Sequence, residues 1–329
     1  MNYLTETIKL LIIFIPLLLS VAYLTLAERK ILGLMQNRKG PAIVGPWGLI
    51  QPIADGVKLI TKELVVPNQA NKFLFFIAPI ITFSLAILGW IIIGFDKGVL
   101  ISDLDVGVLY FLAISGLSIY AILLSGWASN SRYPLLGAIR CAAQMISYEV
   151  AIGLIILSVI LCAGSLNISD IVLSQKYIWF FLPLFPAAIM FFISSLAETA
   201  RAPFDLTEGE SELVSGFNVE YSSISFALFF LGEYSNIILM SCMMTIFFLG
   251  GWLSPFVFIN LQLFSLAPFW FFLKSAIFIL IFIWSRASFP RIRYDQLMAL
   301  LWKSYLPISL GFFVFTAGIL IGFNGVPPF

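Results

Sequence analysis

Apolar runs long enough to cross a lipid bilayer recur from one end of this chain to the other, and they fix what it can fold into. A helix rises about 1.5 Å per residue and a bilayer core is roughly 30 Å thick, so about 20 apolar residues make one crossing. Reading for such runs places spans at roughly 10–27, 73–95, 106–127, 141–163, 177–197, 222–251, 267–285 and 299–323. Strands of a membrane barrel would alternate over about ten residues, whereas these runs are continuous. Only 11% of the 329 residues are charged and 61% are hydrophobic, an excess that no single soluble core hides. The expectation is one all-α integral membrane domain over 1–329 with about eight transmembrane helices.

Sidedness follows from the basic residues. Fourteen of the 18 Lys and Arg fall on the loops and helix ends after spans 1, 3, 5 and 7: Arg29, Lys30, Arg38, Lys39, Lys58, Lys62, Lys72, Arg132, Arg140, Arg201, Arg286, Arg291, Arg293 and Lys303. The other side holds Lys9, Lys97, Lys176 and Lys274. By the positive-inside rule the first set faces the cytoplasm or matrix and both termini lie on the outer side. Lys274, inside span 7 near its outer end, is expected to snorkel to the interface. In the first inner loop, Ile53, Val57, Ile60 and Leu64 share one helical face and Asp55, Lys58 and Lys62 another, so Ile53–Val66 reads as an interfacial amphipathic helix.

Some chemistries are excluded. The chain has no histidine, which removes bis-histidine haem, most zinc and copper sites and histidine acid–base catalysis. Cys141, Cys162 and Cys242 lie far apart within apolar runs and read as packing residues rather than metal ligands. The net charge of +1 gives nucleic-acid binding no support. Met1–Lys9 leads straight into an apolar stretch too long for a signal-peptide core, so the first span is expected to be retained.

The informative residues are carboxylates where a membrane disfavours them. Glu149 and Glu233 sit inside spans 4 and 6, and a central charge there costs roughly 2.5–3.5 kcal/mol on translocon scales, so such groups face a bundle interior, pair up, or hold a proton. Glu28 and Glu198 end spans 1 and 5 at the inner face, making an ionisable chain into the bundle. Glu198, Asp205, Glu208, Glu210, Glu212 and Glu220 then crowd one loop with Arg201 as the single basic residue among them. Crowded carboxylates take up or release protons when nearby charge changes, which suits a proton relay; a solvated acidic loop is the plainer alternative. Arg29, Arg38, Arg140, Arg201, Arg286, Arg291 and Arg293 at inner span ends could pair with these acids or hold a polar head group, and Tyr148, Tyr221, Phe226, Phe229 and Phe230 could line an apolar ligand or simply pack.

Ordered blocks then narrow the choice: AERK (27–30), RKGP (38–41), QPIADGVKL (51–59), LAETARAPFDLTEGESELVSGFNVEYSS (196–223), FFLGEYSN (229–236) and RASFPRIRYDQLM (286–298). Together they closely resemble the subunit 1 family of respiratory complex I, the proton-pumping NADH:quinone oxidoreductase, over essentially the whole chain. One departure stands out: where many members of that family have Asn, this chain has Ala200.

The resemblance implies a membrane subunit that forms the entrance and wall of a quinone chamber, inactive alone, with ubiquinone as substrate and no cofactor of its own. Flavin and iron–sulfur clusters are expected in partner subunits. It implies peripheral-arm quinone-site subunits on the inner face, small membrane subunits and antiporter-like pumps beside it in the membrane, and surrounding lipid. By carry-over, Arg29, Arg38, Asp55, Phe226 and Arg286 are quinone-channel candidates, and Glu28, Glu149, Glu198, Asp205, Glu208, Glu210, Glu212, Glu220 and Glu233 proton-coupling candidates. The membrane subunit of an energy-converting hydrogenase is a second reading, opposed by the dense match over 196–236. An autonomous proton-coupled transporter is a third and calls for inverted repeats, which the sequence does not display. The 33 Phe and the abundant Ile point to an AT-rich genome and a mitochondrial inner membrane, with a bacterial plasma membrane as the alternative.

Overall fold

The computed structural model describes residues 2–96, 98, 100–205, 216–255, 267–323, 325 and 327, with the side chains of 2–10, 12 and 13 outside that description. Every regular element among the described residues is helical. In chain order the α-helices are α1 (Asn2–Met35), α2 (Gln51–Thr61), α3 (Lys72–Leu88), α4 (Gly107–Ala128), α5 (Arg132–Ala163) and α6 (Ile168–Ser174). There follow α7 (Phe185–Glu198), α8 (Ser223–Phe248), α9 (Ala267–Ser288), α10 (Tyr294–Leu300) and α11 (Leu306–Gly322), the last two joined by a π-turn over Leu301–Tyr305.

Among the described residues six stretches are long and apolar enough to cross a membrane: Lys72–Ile92, Gly107–Ala128, Arg132–Ala163, Ser223–Phe248, Ala267–Ser288 and Tyr294–Gly322. Helices α1, of 34 residues, and α7, of 14, stand outside that set. A helix thus occupies each of the eight expected positions, though with altered limits. Helix α5 starts at Arg132 rather than at 141 and stops at Gly164, whose φ of 73° is the left-handed conformation a glycine adopts cheaply.

The expected span at 177–197 departs most. Pro183 and Pro186 stand in it. A proline lacks the N–H a helix interior needs and drives its predecessor out of the α region. Residues 180–184 therefore turn, and α7 begins at Phe185 with Pro186 in its first turn, where the missing donor costs nothing. The Phe181 amide crosses to the Phe248 carbonyl (2.9 Å), and fully buried Gln175 ties the chain before the turn to the end of α8: its Nε2 donates to the carbonyls of Ile171 (3.2 Å) and Ile246 (2.8 Å), and its Oε1 accepts from the amide of Gly250 (2.9 Å).

Lys274 does not snorkel outward as expected. It is 4% exposed, and its Nζ donates to the carbonyls of Leu249 (2.6 Å), Gly251 (3.1 Å) and Leu253 (2.6 Å) while lying 4.5 Å from the centre of the Trp179 ring. The end of α8 leaves carbonyls without helical partners and concentrates partial negative charge, so a cation within reach is held there.

The interfacial helix is α2, which ends at Thr61 rather than at Val66. Lys62 is already extended (ψ 139°), and Ser223 Oγ donates to the carbonyls of Leu59 (3.0 Å) and Lys62 (2.7 Å), closing the helix from outside. Ile53, Val57 and Ile60 are exposed on its outer face, as an interfacial helix requires.

Replacing Lys274 by Met strands three carbonyls, and an unsatisfied buried acceptor costs about 1–3 kcal/mol. The variant should unfold at a measurably lower temperature in detergent, with fluorescence of Trp179 reporting loss of the local packing; an unchanged melting curve would remove the clamp from the stability account.

Candidate functional site

Four elements converge on Glu28 near the inner end of α1. The buried carboxylate accepts from Arg201 Nη1 at 3.2 Å, from Arg286 in the last turn of α9, and from the Tyr234 hydroxyl of α8 at 2.6 Å. The Arg201 guanidinium also lies 4.4 Å from the centre of the Tyr234 ring, a cation–π contact strengthened by desolvation. Burial opposes the Arg201 charge, but Tyr234, Glu28 and Glu233 outweigh it and raise the guanidinium pKa above its usual value, so Arg201 is a permanent cation.

Arg201 is aimed by local backbone chemistry. At the end of α7 the Arg201 amide donates to the Leu196 carbonyl (3.1 Å) and the Ala200 amide to the Ala197 carbonyl (3.2 Å), the paired bonds of a Schellman cap. Its pivot residue must be left-handed, and Ala200 has φ 49°. Asn or Gly suits this position, which gives the Ala200 departure its physical meaning. Gln144 Nε2 of α5 staples the returning chain by donating to the carbonyls of Ala197 (2.7 Å) and Phe204 (2.9 Å).

Two kinds of cavity flank this cluster. Between α1, α2 and α8 lies one of about 310 Å³, lined by Arg29, Asp55, Phe226, Phe230 and Tyr234 among mostly apolar neighbours. Arg29 Nη1 pairs with Asp55 Oδ2 at 2.8 Å, and Gln51 Nε2 donates to Asp55 Oδ1 at 3.0 Å. From Phe226 the rings of Phe230 (5.4 Å) and then Tyr234 (5.0 Å) follow at helical spacing, leading from the cavity to the Glu28 cluster. Size, apolar lining and a few polar groups suit a flat ligand with a polar head.

On the other face of α8 is a cavity of about 60 Å³ lined by Glu198, Glu233, Asn236, Thr199, Ser118 and Arg201. A neighbour of about 30 Å³ shares Glu198, Ser118 and Asn236 and reaches Ser115. With one water needing about 10–15 Å³, each is wide enough for water among polar partners. Ser115 Oγ then donates to Glu149 Oε1 at 3.3 Å. Gly116 makes room for that carboxylate, since a Cβ there would stand 2.9 Å from Glu149 Oε1. Glu149 is half-exposed on the side of the bundle.

The structure therefore gathers Arg29, Asp55 and Phe226 at one cavity, places Arg286 at the Glu28 cluster beside it, and joins Glu198, Glu233 and Glu149 along the other face. Arg38 is exposed and lines neither cavity. Buried Asp205 pairs with Arg291 Nη2 at 2.9 Å, and half-buried Glu220 lines none of these cavities. Glu208, Glu210 and Glu212 lie outside the described residues. Sequence reading missed Tyr234, Asn236 and Ser115. Tyr234 was the findable one, lying eight residues from Phe226 and next to Glu233.

The family model described as NADH dehydrogenase matches residues 8–317. The chain is 68% identical over 322 residues to NADH-ubiquinone oxidoreductase chain 1 of Metridium senile, covering 98% of this chain and 95% of that one. It belongs to the complex I subunit 1 family. A plant member, NADH-ubiquinone oxidoreductase chain 1 of Arabidopsis thaliana, is 55% identical over 99% of this chain and 100% of its own. A bacterial member, an NADH-quinone oxidoreductase subunit of Rhodospirillum rubrum, is 57% identical over 97% and 95%. In this complex I subunit 1 chain, Glu28, Arg29, Asp55, Glu198, Arg201, Glu233, Tyr234 and Arg286 come from the blocks that carried the resemblance, whereas Ser115, Glu149 and Phe226 lie outside them.

Two expectations follow from the local geometry. Tyr234→Phe keeps the ring under Arg201 but removes a hydrogen bond to a charged group, a loss of about 1.5–3 kcal/mol, readable as a lower melting temperature of the purified complex. Ala200→Asn relieves a left-handed alanine and should gain about 1 kcal/mol, so the same assay should show a rise with Arg201 undisturbed.

Proposed function

We propose that this chain is the quinone-site membrane subunit of a proton-translocating NADH:ubiquinone oxidoreductase of the mitochondrial inner membrane. It has no activity alone, and α1 and α7 complete eight crossings with both termini on the outer side. The observation that supports the reading is that α8 borders two cavities. Phe226, Phe230 and Tyr234 line the aromatic one, Glu233 and Asn236 line the acid-bearing one, and Arg201 lines the latter while lying 4.4 Å from the Tyr234 ring.

Ubiquinone enters over α2 with its head group sliding along the Phe226–Phe230–Tyr234 rings, the Arg29–Asp55 pair at the wall and Arg38 on the approach. Reduction takes two electrons and two protons, and the electrons come from flavin and iron–sulfur clusters of peripheral-arm subunits docked on the inner loops. Negative charge developing on the head group competes with Glu28 for Arg201 and Arg286. A carboxylate's proton affinity follows the charge beside it, so loosening Arg201 from one side changes proton occupancy at Glu233 and Glu198 on the other. Ser115 links these acids to Glu149, whose half-exposed position suits hand-over to small membrane subunits and then antiporter-like pumps. Asp205, Glu208, Glu210, Glu212 and Glu220 set the charge of the inner loop that adjoins the chamber.

Glu149→Gln in the assembled complex separates the roles. Electron transfer from NADH to artificial acceptors should persist, while quinone-linked turnover and membrane-potential formation should fall at least tenfold. Normal values for all three, in a complex assembled to wild-type level, would overturn the coupling assignment.

A further inference from the structure

At the end of the bundle opposite the basic loops, α5 and α11 part around a groove of about 540 Å³, well inside the roughly 300–1,000 Å³ of small-ligand sites. The α4–α5 connection fixes this placement: Ala128 and Arg132 mark the basic-loop end, so Gly107, Ala163 and Gly164 mark the other. Ile160, Leu161 and Leu166 form one wall and Leu320 and Ile321 the other. Val314, Phe315 and Ile319, exposed on α11, continue the apolar surface outward, as a lipid-facing helix does. None of these residues belongs to the sites described above.

The mouth is preformed and acidic. The Val108 amide donates to the Leu166 carbonyl at 3.2 Å, tying the loop after α5 to the start of α4. Ser165, which lines the groove, donates its Oγ to Asp170 Oδ2 (3.1 Å) and so holds that carboxylate beside it, while on α6 Ser169 Oγ donates to Asp103 Oδ1 (3.2 Å). The third, Asp105, lines the groove itself, is exposed, and has no ion-pair partner among the described residues to neutralise it.

We infer that this groove binds one phospholipid with a primary-ammonium head, a phosphatidylethanolamine, with an acyl chain between α5 and α11 and the ammonium on Asp105. Charge complementarity makes the choice. An anionic head would meet the Asp105 carboxylate, with Asp170 held beside the groove by Ser165. A choline head has no N–H to donate, and among the described residues no aromatic side chain lines the groove to hold it by a cation–π contact. A primary ammonium donates up to three hydrogen bonds to carboxylate and serine oxygens.

The test uses the whole purified complex in nanodiscs doped with photoactivatable lipids of identical acyl chains bearing ethanolamine, choline or glycerol heads, with crosslinks mapped by mass spectrometry. The ethanolamine probe should label 157–166 and 314–321 at least fivefold over the other two. Asp105→Asn should cut that preference below twofold with quinone-linked turnover unchanged, and Leu161→Trp, which fills the groove, should abolish labelling there. Equal labelling by all three heads, no labelling because a neighbouring subunit covers the groove, or a preference that survives Asp105→Asn would each overturn the inference.

Discussion

Arg201 is the charge on which the centre of this molecule depends. Its guanidinium reaches Glu28 at 3.2 Å and the Tyr234 ring at 4.4 Å, and it also lines the cavity that holds Glu198 and Glu233. Removing one member of a buried ion pair costs about 3–5 kcal/mol because the other charge is left uncompensated. The cluster therefore tolerates rearrangement far better than deletion. Under the proposed function, a head group competing for Arg201 would shift its balance between two sides without exposing any charge to lipid. The membrane's constraint on a buried ion would then supply the transducer.

Much of this was legible in the sequence, for identifiable reasons. The apolar runs located a helix at every expected place because crossing length is fixed by the bilayer. The interior acids were conspicuous because membranes make such residues costly. Other features depend on partners distant in the chain. Pro183 and Pro186 were visible, yet the turned segment they produce is tied to the end of α8 by the Phe181 amide bonding the Phe248 carbonyl, with Gln175 bridging to Ile246 and Gly250 beside it. Lys274 was misplaced outward because its carbonyl partners belong to the end of α8, some twenty residues earlier. Asp205 was grouped with its acidic neighbours by proximity in sequence, whereas the fold gives it Arg291.

Ala200 shows the same division on a smaller scale. Its identity was readable, but its cost was not, because a left-handed residue is defined by the cap that closes around it. The two amide bonds of that cap orient Arg201, so a position without any functional group of its own sets where the central charge points.

Helix α8 explains why the two cavities meet where they do. Of the six crossing stretches it has the lowest mean hydropathy, 1.5, and the largest buried share, 61%. A helix carrying Glu233 and Asn236 within its span is stable in a membrane only when neighbours cover them, so it lies at the centre of the bundle. Central burial also restricts its movement, because close-packed neighbours on every side must shift with it. If the two cavities are coupled as proposed, the coupling is then best carried by charge, through Arg201 beside the helix, rather than by sliding of α8 itself.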